Sequence, residues 1–84
     1  MSADLLTFRA TNVTGTRTLD LEVARDVSAR SVAEDLMTIM QLPNDVSWVL
    51  RNDRSAAFLD EAGAIGDQLE PGTRVTLTPR AHLG

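Results

Sequence analysis

The sequence predicts an α+β domain in which one helix packs across one face of a mixed sheet of four or five strands. Apolar residues alternate with polar ones along several short segments, whereas a single stretch spaces them by three and four. These segments follow the order strand, strand, helix, strand, short strand, turn and strand. Because one helical stripe covers only one face of a sheet, this order predicts two layers.

The first two strands are predicted to form a hairpin between Leu5 and Val23. Inward apolar positions alternate with outward polar ones along both segments. The turn Asn12–Gly15 supplies residues that tolerate the left-handed backbone region. The predicted inward residues are Leu6, Phe8, Ala10, Leu19, Leu21 and Val23.

A capping box predicts where the helix begins. Ser31 and Glu34 have the spacing at which a serine oxygen and a glutamate side chain satisfy backbone donors at a helix start. We expect the helix to run to about Gln41 and to end before Pro43. Its predicted apolar stripe consists of Val32, Leu36, Ile39 and Met40.

Alternation continues in the second half of the chain. Trp48 is predicted to face the core on the third strand, with Val49 facing outward. A short edge strand at 56–59 and a helical turn anchored by Ile65 follow, and Glu70–Thr73 predicts a type II turn before the last strand, 74–78. The predicted core is Leu6, Phe8, Leu19, Leu21, Val32, Leu36, Ile39, Trp48, Leu50, Ile65, Val75 and Leu77.

Composition excludes several classes of site. The 84 residues suffice for one small domain, contain no cysteine, and include His82 as the single histidine, so no zinc cluster or Ser-His-Asp arrangement can form. The net charge of −4 and the lack of a basic patch argue against nucleic-acid binding. Apolar runs are too short to span a bilayer, and we expect a cytoplasmic protein without a membrane partner.

The C-terminal segment is the best candidate for chemistry. Pro79 cannot donate a ladder hydrogen bond, so we expect it to end the last strand and to divide the chain into a domain, 1–78, and a flexible tail, 79–84. Extended, this tail could reach about 20 Å. Gly84 ends it with an unhindered carboxylate, which can be activated and transferred and which fits a narrow channel.

The chain resembles the ubiquitin-like β-grasp family. The matching segments are Thr14–Val23, similar to the first hairpin and second strand of ubiquitin, then Leu42–Asp45 after the helix, and Arg74–Thr78 leading into a tail that stops at glycine. The resemblance is strongest to bacterial ubiquitin-like modifiers. It implies that the protein is a substrate rather than an enzyme and holds no cofactor, since an activating enzyme adenylates its terminal glycine with ATP, forms a thioester and passes it to an amine.

Carried over by position, the resemblance assigns roles in the tail. Gly84 would be the reacting residue, whereas Arg80, His82 and Leu83 would be read by the partner enzyme. Leu83 stands where ubiquitin has a glycine, which points to a cognate bacterial set of enzymes. The implied partners are an activating enzyme, a conjugating enzyme, a deconjugating peptidase and target proteins, with phage defence as the setting that such gene sets suggest.

A surface patch and two other functions complete the expectations. Val13, Val49 and Thr76 occupy the places of ubiquitin's apolar binding patch, but reproduce it poorly. One alternative is a non-conjugated interaction module resembling the small ubiquitin-like proteins of type VII secretion. Another is a sulfur carrier, similar to the proteins that deliver thiocarboxylate sulfur, although these normally end in two glycines.

All eight basic side chains are arginine, so lysine offers no acceptor for an acyl group.

Overall fold

A computed structural model describes residues 4–43 and 45–80 of the chain, which build a five-stranded mixed sheet with one helix across it. The strand order is β2-β1-β5-β3-β4, with β1 and β5 parallel and the other neighbouring pairs antiparallel. This confirms the predicted α+β architecture. The elements are β1 Leu5–Asn12, β2 Thr18–Ala24, α1 Ala29–Ile39, β3 Trp48–Asn52, β4 Ala57–Phe58, a 3-10 turn Ile65–Asp67 and β5 Arg74–Pro79.

The helix begins earlier than the capping box predicted. Ser28, not Ser31, is the N-cap, and its Oγ accepts a hydrogen bond from the Ser31 backbone N–H at 3.2 Å. The backbone N–H groups of Ala29 and Arg30 donate to carbonyls of Gly63 and Glu61, each at 3.0 Å. A loop distant in sequence thus satisfies the first helical donors, which the local pattern could not indicate.

The end of the helix also differs from the prediction. Helix α1 stops at Ile39, and Gln41 adopts a left-handed backbone with φ 57°, so the helix cannot continue to that residue. Ile39 is half exposed and does not belong to the buried stripe. It lies at the margin of that stripe in the last turn, whereas the buried residues are Ala29, Val32, Ala33, Leu36 and Met40.

The core lies between α1 and the inner face of the sheet. Every predicted core residue except Ile39 belongs to this cluster or packs against it, although Leu19, Leu21 and Trp48 are only partly buried at its margin. The Trp48 indole Nε1 donates to the Pro43 carbonyl at 2.8 Å. The fully buried centre consists of Leu6, Leu36, Leu50, Ile65, Val75 and Leu77.

Two turns follow the sequence expectation. Gly72 has φ 82°, and the Thr73 N–H donates to the Glu70 carbonyl at 3.1 Å, which confirms a turn that requires a positive φ at its third position. Ile65 is fully buried in the predicted helical turn. Across the described part of the chain, no helix is long and apolar enough to cross a membrane.

Candidate functional sites on the sheet and at the chain end

Strand β5 directs the C-terminal segment. This strand lies in the middle of the sheet, between β1 and β3, and runs parallel to β1. Its last residue, Pro79, is buried and stands opposite Trp48 at the start of β3. The strand therefore extends one residue beyond the predicted end, since a proline at a strand terminus need not donate to the ladder.

Arg80 is held against the domain rather than released from it. Its backbone N–H donates to the Ser47 carbonyl at 2.6 Å, and its guanidinium forms an ion pair with the Glu61 carboxylate. Arg30 of α1 contacts the same carboxylate at 3.4 Å. The expectation of a free tail from residue 79 onward is thus wrong for two residues: Pro79 belongs to β5, and Arg80 is held by a backbone hydrogen bond and a charge pair.

A groove lies beside this anchored arginine. It has a volume of about 430 Å³ and runs between α1 and the segment that precedes β3. Its walls combine apolar and charged side chains, and Glu61, the partner of Arg80, lines it. The other lining residues are Arg30, Ala33, Glu34, Met37, Val46, Ser47 and Trp48. The predicted site residues His82, Leu83 and Gly84 lie outside the described residues.

The predicted surface patch divides into one exposed and two buried members. Val13 is 54 % exposed in the β1–β2 turn, whereas Val49 is only 4 % exposed and Thr76 only 8 %. Strand pairing places Val49 opposite Thr78 on the outer face, the sheet surface that faces away from α1. The expectation of an exposed Val49 is therefore wrong, and no continuous apolar patch joins these three residues.

A polar cluster occupies the outer face next to Val49. The Thr76 hydroxyl contacts both carboxylate oxygens of Asp53, at 2.7 and 2.9 Å, and donates to one of them. Arg74 Nε donates to Asp53 Oδ2 at 2.9 Å, and an Arg51 Nη donates to Oδ1 at 3.2 Å. We call Arg51, Asp53, Arg74 and Thr76 the Asp53 cluster.

The charge of Asp53 is stabilised within this cluster. Partial burial by itself raises the pKa of the carboxyl, but hydrogen bonds from Thr76, Arg74 and Arg51 and the charge of Arg51 outweigh it. The net pKa of Asp53 is therefore below its ordinary value. The carboxylate side chain is only 13 % exposed, while the Arg74 side chain is 63 % exposed above it.

The sequence contains a signal for this cluster in the spacing of its polar residues. Asp53 is not among the residues that the sequence predicts as a site, because a polar stretch after a strand is typical of a turn. Arg74 and Thr76 are two apart on β5, and Arg51 and Asp53 are two apart at the end of β3, so each pair faces one side. Once β3 and β5 are paired antiparallel, the four polar side chains meet on one face.

Comparison with proteins of known structure defines the fold. The chain superimposes on ubiquitin of Caldiarchaeum subterraneum with TM-score 0.74 and 19 % identity, over 90 % of this chain and 94 % of that one. A designed protein based on ubiquitin matches with TM-score 0.75 and 18 % identity, over 95 % and 94 % of the two chains. The chain thus has the ubiquitin-like β-grasp fold.

The same fold serves another kind of protein among the similar structures. A chain of a toluene 4-monooxygenase complex matches with TM-score 0.73 and 17 % identity, over 87 % of this chain and 95 % of that one. Comparison of the sequence with family models and with curated proteins gives no match. Fold similarity at this identity leaves function to be argued from the sites.

Proposed function

We propose that the protein is a ubiquitin-like modifier of a bacterial conjugation pathway. An activating enzyme would join the Gly84 carboxylate to AMP from ATP with release of pyrophosphate. A cysteine thiolate of that enzyme would then displace AMP to form a thioester, and an amine of a target would displace the thiol to form an amide. The protein contributes recognition and the reacting carboxylate, and the partner enzymes contribute the catalysis.

The observation that carries this proposal is the position of β5 in the ubiquitin-like fold. This central strand ends at Pro79 and leads the chain through Arg80 into the segment that ends with glycine. A conjugating pathway requires a reactive carboxylate that a folded domain can present to another protein. We propose phage defence as the setting, on the resemblance to bacterial modifiers alone.

The anchored Arg80 limits how the tail can be used. Gly84 lies four residues after Arg80, and four extended residues span at most about 14 Å. An activating enzyme that reads the Arg80 guanidinium must compete with Glu61 for it. In this proposal Arg80, His82 and Leu83 are recognition residues, and only Gly84 reacts.

Deletion of Gly84 tests the proposal. The purified protein, its cognate activating enzyme and ATP should yield a thioester that mass spectrometry detects and that a thiol reductant cleaves. The Gly84 deletion and Gly84→Val should both abolish it, because adenylation tolerates little misplacement of the carboxylate. Asp35→Asn is the control, since Asp35 lies exposed on α1 and the change leaves the backbone and the tail as they are.

The outcomes separate the modifier from its alternatives. Full biological activity of the Gly84 deletion would exclude both the modifier and the sulfur carrier, and would favour a non-conjugated interaction module. A sulfur carrier would instead show replacement of one carboxylate oxygen by sulfur in the intact mass. Because the 84 residues contain no lysine, lysine-linked chains of this protein should be absent from any conjugates.

The interaction module is the second candidate, and one observation favours it. Arg80, the predicted recognition cation of the tail, is engaged by Ser47 and Glu61 of its own domain. Such a module would bind partners through the folded surface. Its activity would then survive loss of Gly84 but not disruption of the outer face.

A further inference from the structure

Two arginines stand side by side at the centre of the outer face. Arg9 on β1 pairs in register with Arg74 on β5, and also with Asp20 on β2. The Asp53 N–H donates to the Arg74 carbonyl at 3.0 Å, which continues the row onto the end of β3. Across the four strands the row therefore consists of Asp20, Arg9, Arg74 and Asp53. The two arginines in its middle are like charges on neighbouring strands, and a bound anion would stabilise this arrangement.

The arginines that contact Asp53 are more exposed to solvent than Asp53 itself. The Asp53 side chain is 13 % exposed, against 44 % for Arg51 and 63 % for Arg74. Asp53 therefore lies beneath the guanidinium groups that it holds in place. Viewed from solvent, the Asp53 cluster presents cations, although the whole chain carries a net charge of −4.

These guanidinium groups keep unused donors. Within residues 4–43 and 45–80, Arg9 and Arg74 each donate only through Nε, to Asp20 and to Asp53, and Arg51 donates only through one Nη. Arg51 Nε is buried there without any acceptor. A guanidinium has five N–H donors, and two of them in a fork match a carboxylate. Each arginine is thus oriented by an aspartate and can still bind an external carboxylate.

Grooves on both sides of Arg74 give an extended segment room to bind. One has a volume of about 970 Å³ and includes Arg9, Arg54 and Arg74 together with the acidic residues Asp20, Glu22 and Asp53. The other has a volume of about 610 Å³ and includes Arg51, Arg74 and Asp53. Threonine side chains add hydroxyl groups, while Val49 beside them is buried. The threonines are Thr7 and Thr73 in the first groove, and Thr11, Thr14, Thr18, Thr76 and Thr78 in the second.

We propose that the outer face binds an acidic segment of a partner protein, with side-chain carboxylates on Arg74, Arg51 and Arg9. The residues that line the two grooves include four arginines and three carboxylates, a net charge of +1, whereas the rest of the chain carries −5. An acidic segment is therefore repelled elsewhere and favoured at this face. The outer face contains no residue of the tail. Binding at this face is therefore expected whether or not Gly84 is conjugated, and the Gly84 variants should bind the acidic segment as the wild type does.

Titration of the full 15N-labelled chain with the synthetic peptide (Glu-Gly-Ser)4 tests this proposal, with (Gln-Gly-Ser)4 as the uncharged control. We expect saturable amide shifts centred on residues 9, 51, 74 and 76 with the glutamate peptide only. Arg74→Gln should weaken binding about fivefold or more. Arg30→Gln removes an equal charge from α1, where Arg30 is 63 % exposed, and should change affinity less than twofold.

A second variant protects the test against misfolding. If Arg74→Gln loses the dispersed spectrum of the folded protein, Arg9→Gln replaces it, since the Arg9 side chain pairs with the exposed Asp20 and, among the described residues, not with Asp53. Absence of saturable shifts at millimolar peptide would overturn the proposal. So would shifts centred away from the outer face, equal losses in Arg74→Gln and Arg30→Gln, or equal binding of inorganic phosphate, which would indicate general anion affinity.

Discussion

Both faces of the sheet contain buried residues, but these are buried by different means. Leu50 on the inner face is 2 % exposed and packs in the apolar cluster beneath α1. Its neighbour Val49 is 4 % exposed on the outer face, where Thr76 and Asp53 form a hydrogen-bonded cluster. Burial alone therefore does not show which residues form the core.

The two faces should respond to different perturbations. Apolar burial on the inner face contributes free energy in proportion to area and hardly depends on pH. The Asp53 cluster contributes through hydrogen bonds to a charged group, and these are lost when the carboxylate is protonated or removed. Substitutions on each face therefore test whether the two are stabilised differently.

Leu50→Ala should give the largest effect. Removal of a fully buried leucine side chain leaves a cavity beneath α1, and such changes lower the free energy of unfolding by about 2–5 kcal/mol. The free energy of unfolding of so small a domain is itself only a few times larger, so partial unfolding of the variant at room temperature is expected. Urea denaturation followed by Trp48 fluorescence measures it.

Val13→Ala provides the matched control for this change. Val13 is more than half exposed in the β1–β2 turn, so its truncation should change the free energy of unfolding by less than about 0.5 kcal/mol. A Leu50→Ala effect as small as that of Val13→Ala would contradict the assignment of the inner face as the core.

Asp53→Asn should give the next largest effect. The amide keeps the shape of the side chain but loses the charge that Arg51, Arg74 and Thr76 stabilise, at a cost of about 1–3 kcal/mol. Asp20→Asn is the control, because its ion pair with Arg9 is exposed on both sides and should contribute at most about 1 kcal/mol. Equal effects of the two changes, measured by urea denaturation, would show that the cluster is ordinary surface.

Alternation predicted the faces of the strands but not the environments on them. It correctly placed Leu6, Phe8 and Leu50 inside, because the strand period of two is local in sequence. The burial of Val49 depends on neighbours brought together by β3–β5 pairing, and alternation contains no information about them. The N-cap at Ser28 was missed for a similar reason, since Gly63 and Glu61 complete the helix start from far along the chain.

The sequence predicted a site residue at the chain end but none in the Asp53 cluster except Thr76. The sequence predicts a role for Arg80 in the tail but not its contact with Glu61. Glu61 lies in a loop for which the sequence predicts only a helical turn anchored by Ile65. Asp53 was not selected, because a lone aspartate after a strand is typical of turns. Its significance depends on two arginines and a threonine from two strands. The strand pattern contained these residues, and only the sheet order brings them together.

The pH dependence of stability gives a separate test of the outer face. The pKa of Asp53 is lowered on folding, so the unfolded chain binds more protons between the folded and the unfolded pKa values. The stabilisation by Asp53 is therefore present above the unfolded value, near 3.8, and is lost as pH falls through the folded value. Urea denaturation at several pH values from 7 downward should show the difference between wild type and Asp53→Asn shrinking in acid. A difference that stays constant would mean that the carboxylate charge is not what stabilises the cluster.

The smallest effect is expected at the charged contact near the chain end, between Arg80 and Glu61. Both side chains are partly exposed, at 48 % and 28 %, and the backbone bond from Arg80 to Ser47 remains when the charge is removed. Glu61→Gln should therefore lower the free energy of unfolding by less than about 1 kcal/mol. A double-mutant cycle with Arg80→Gln isolates the pair, and the cycle with Arg30→Gln measures the second arginine on the same carboxylate. Coupling between Glu61 and Arg80 that exceeds the whole effect of Asp53→Asn would reverse the comparison, because the stronger charged site would then lie at the chain end and not on the outer face.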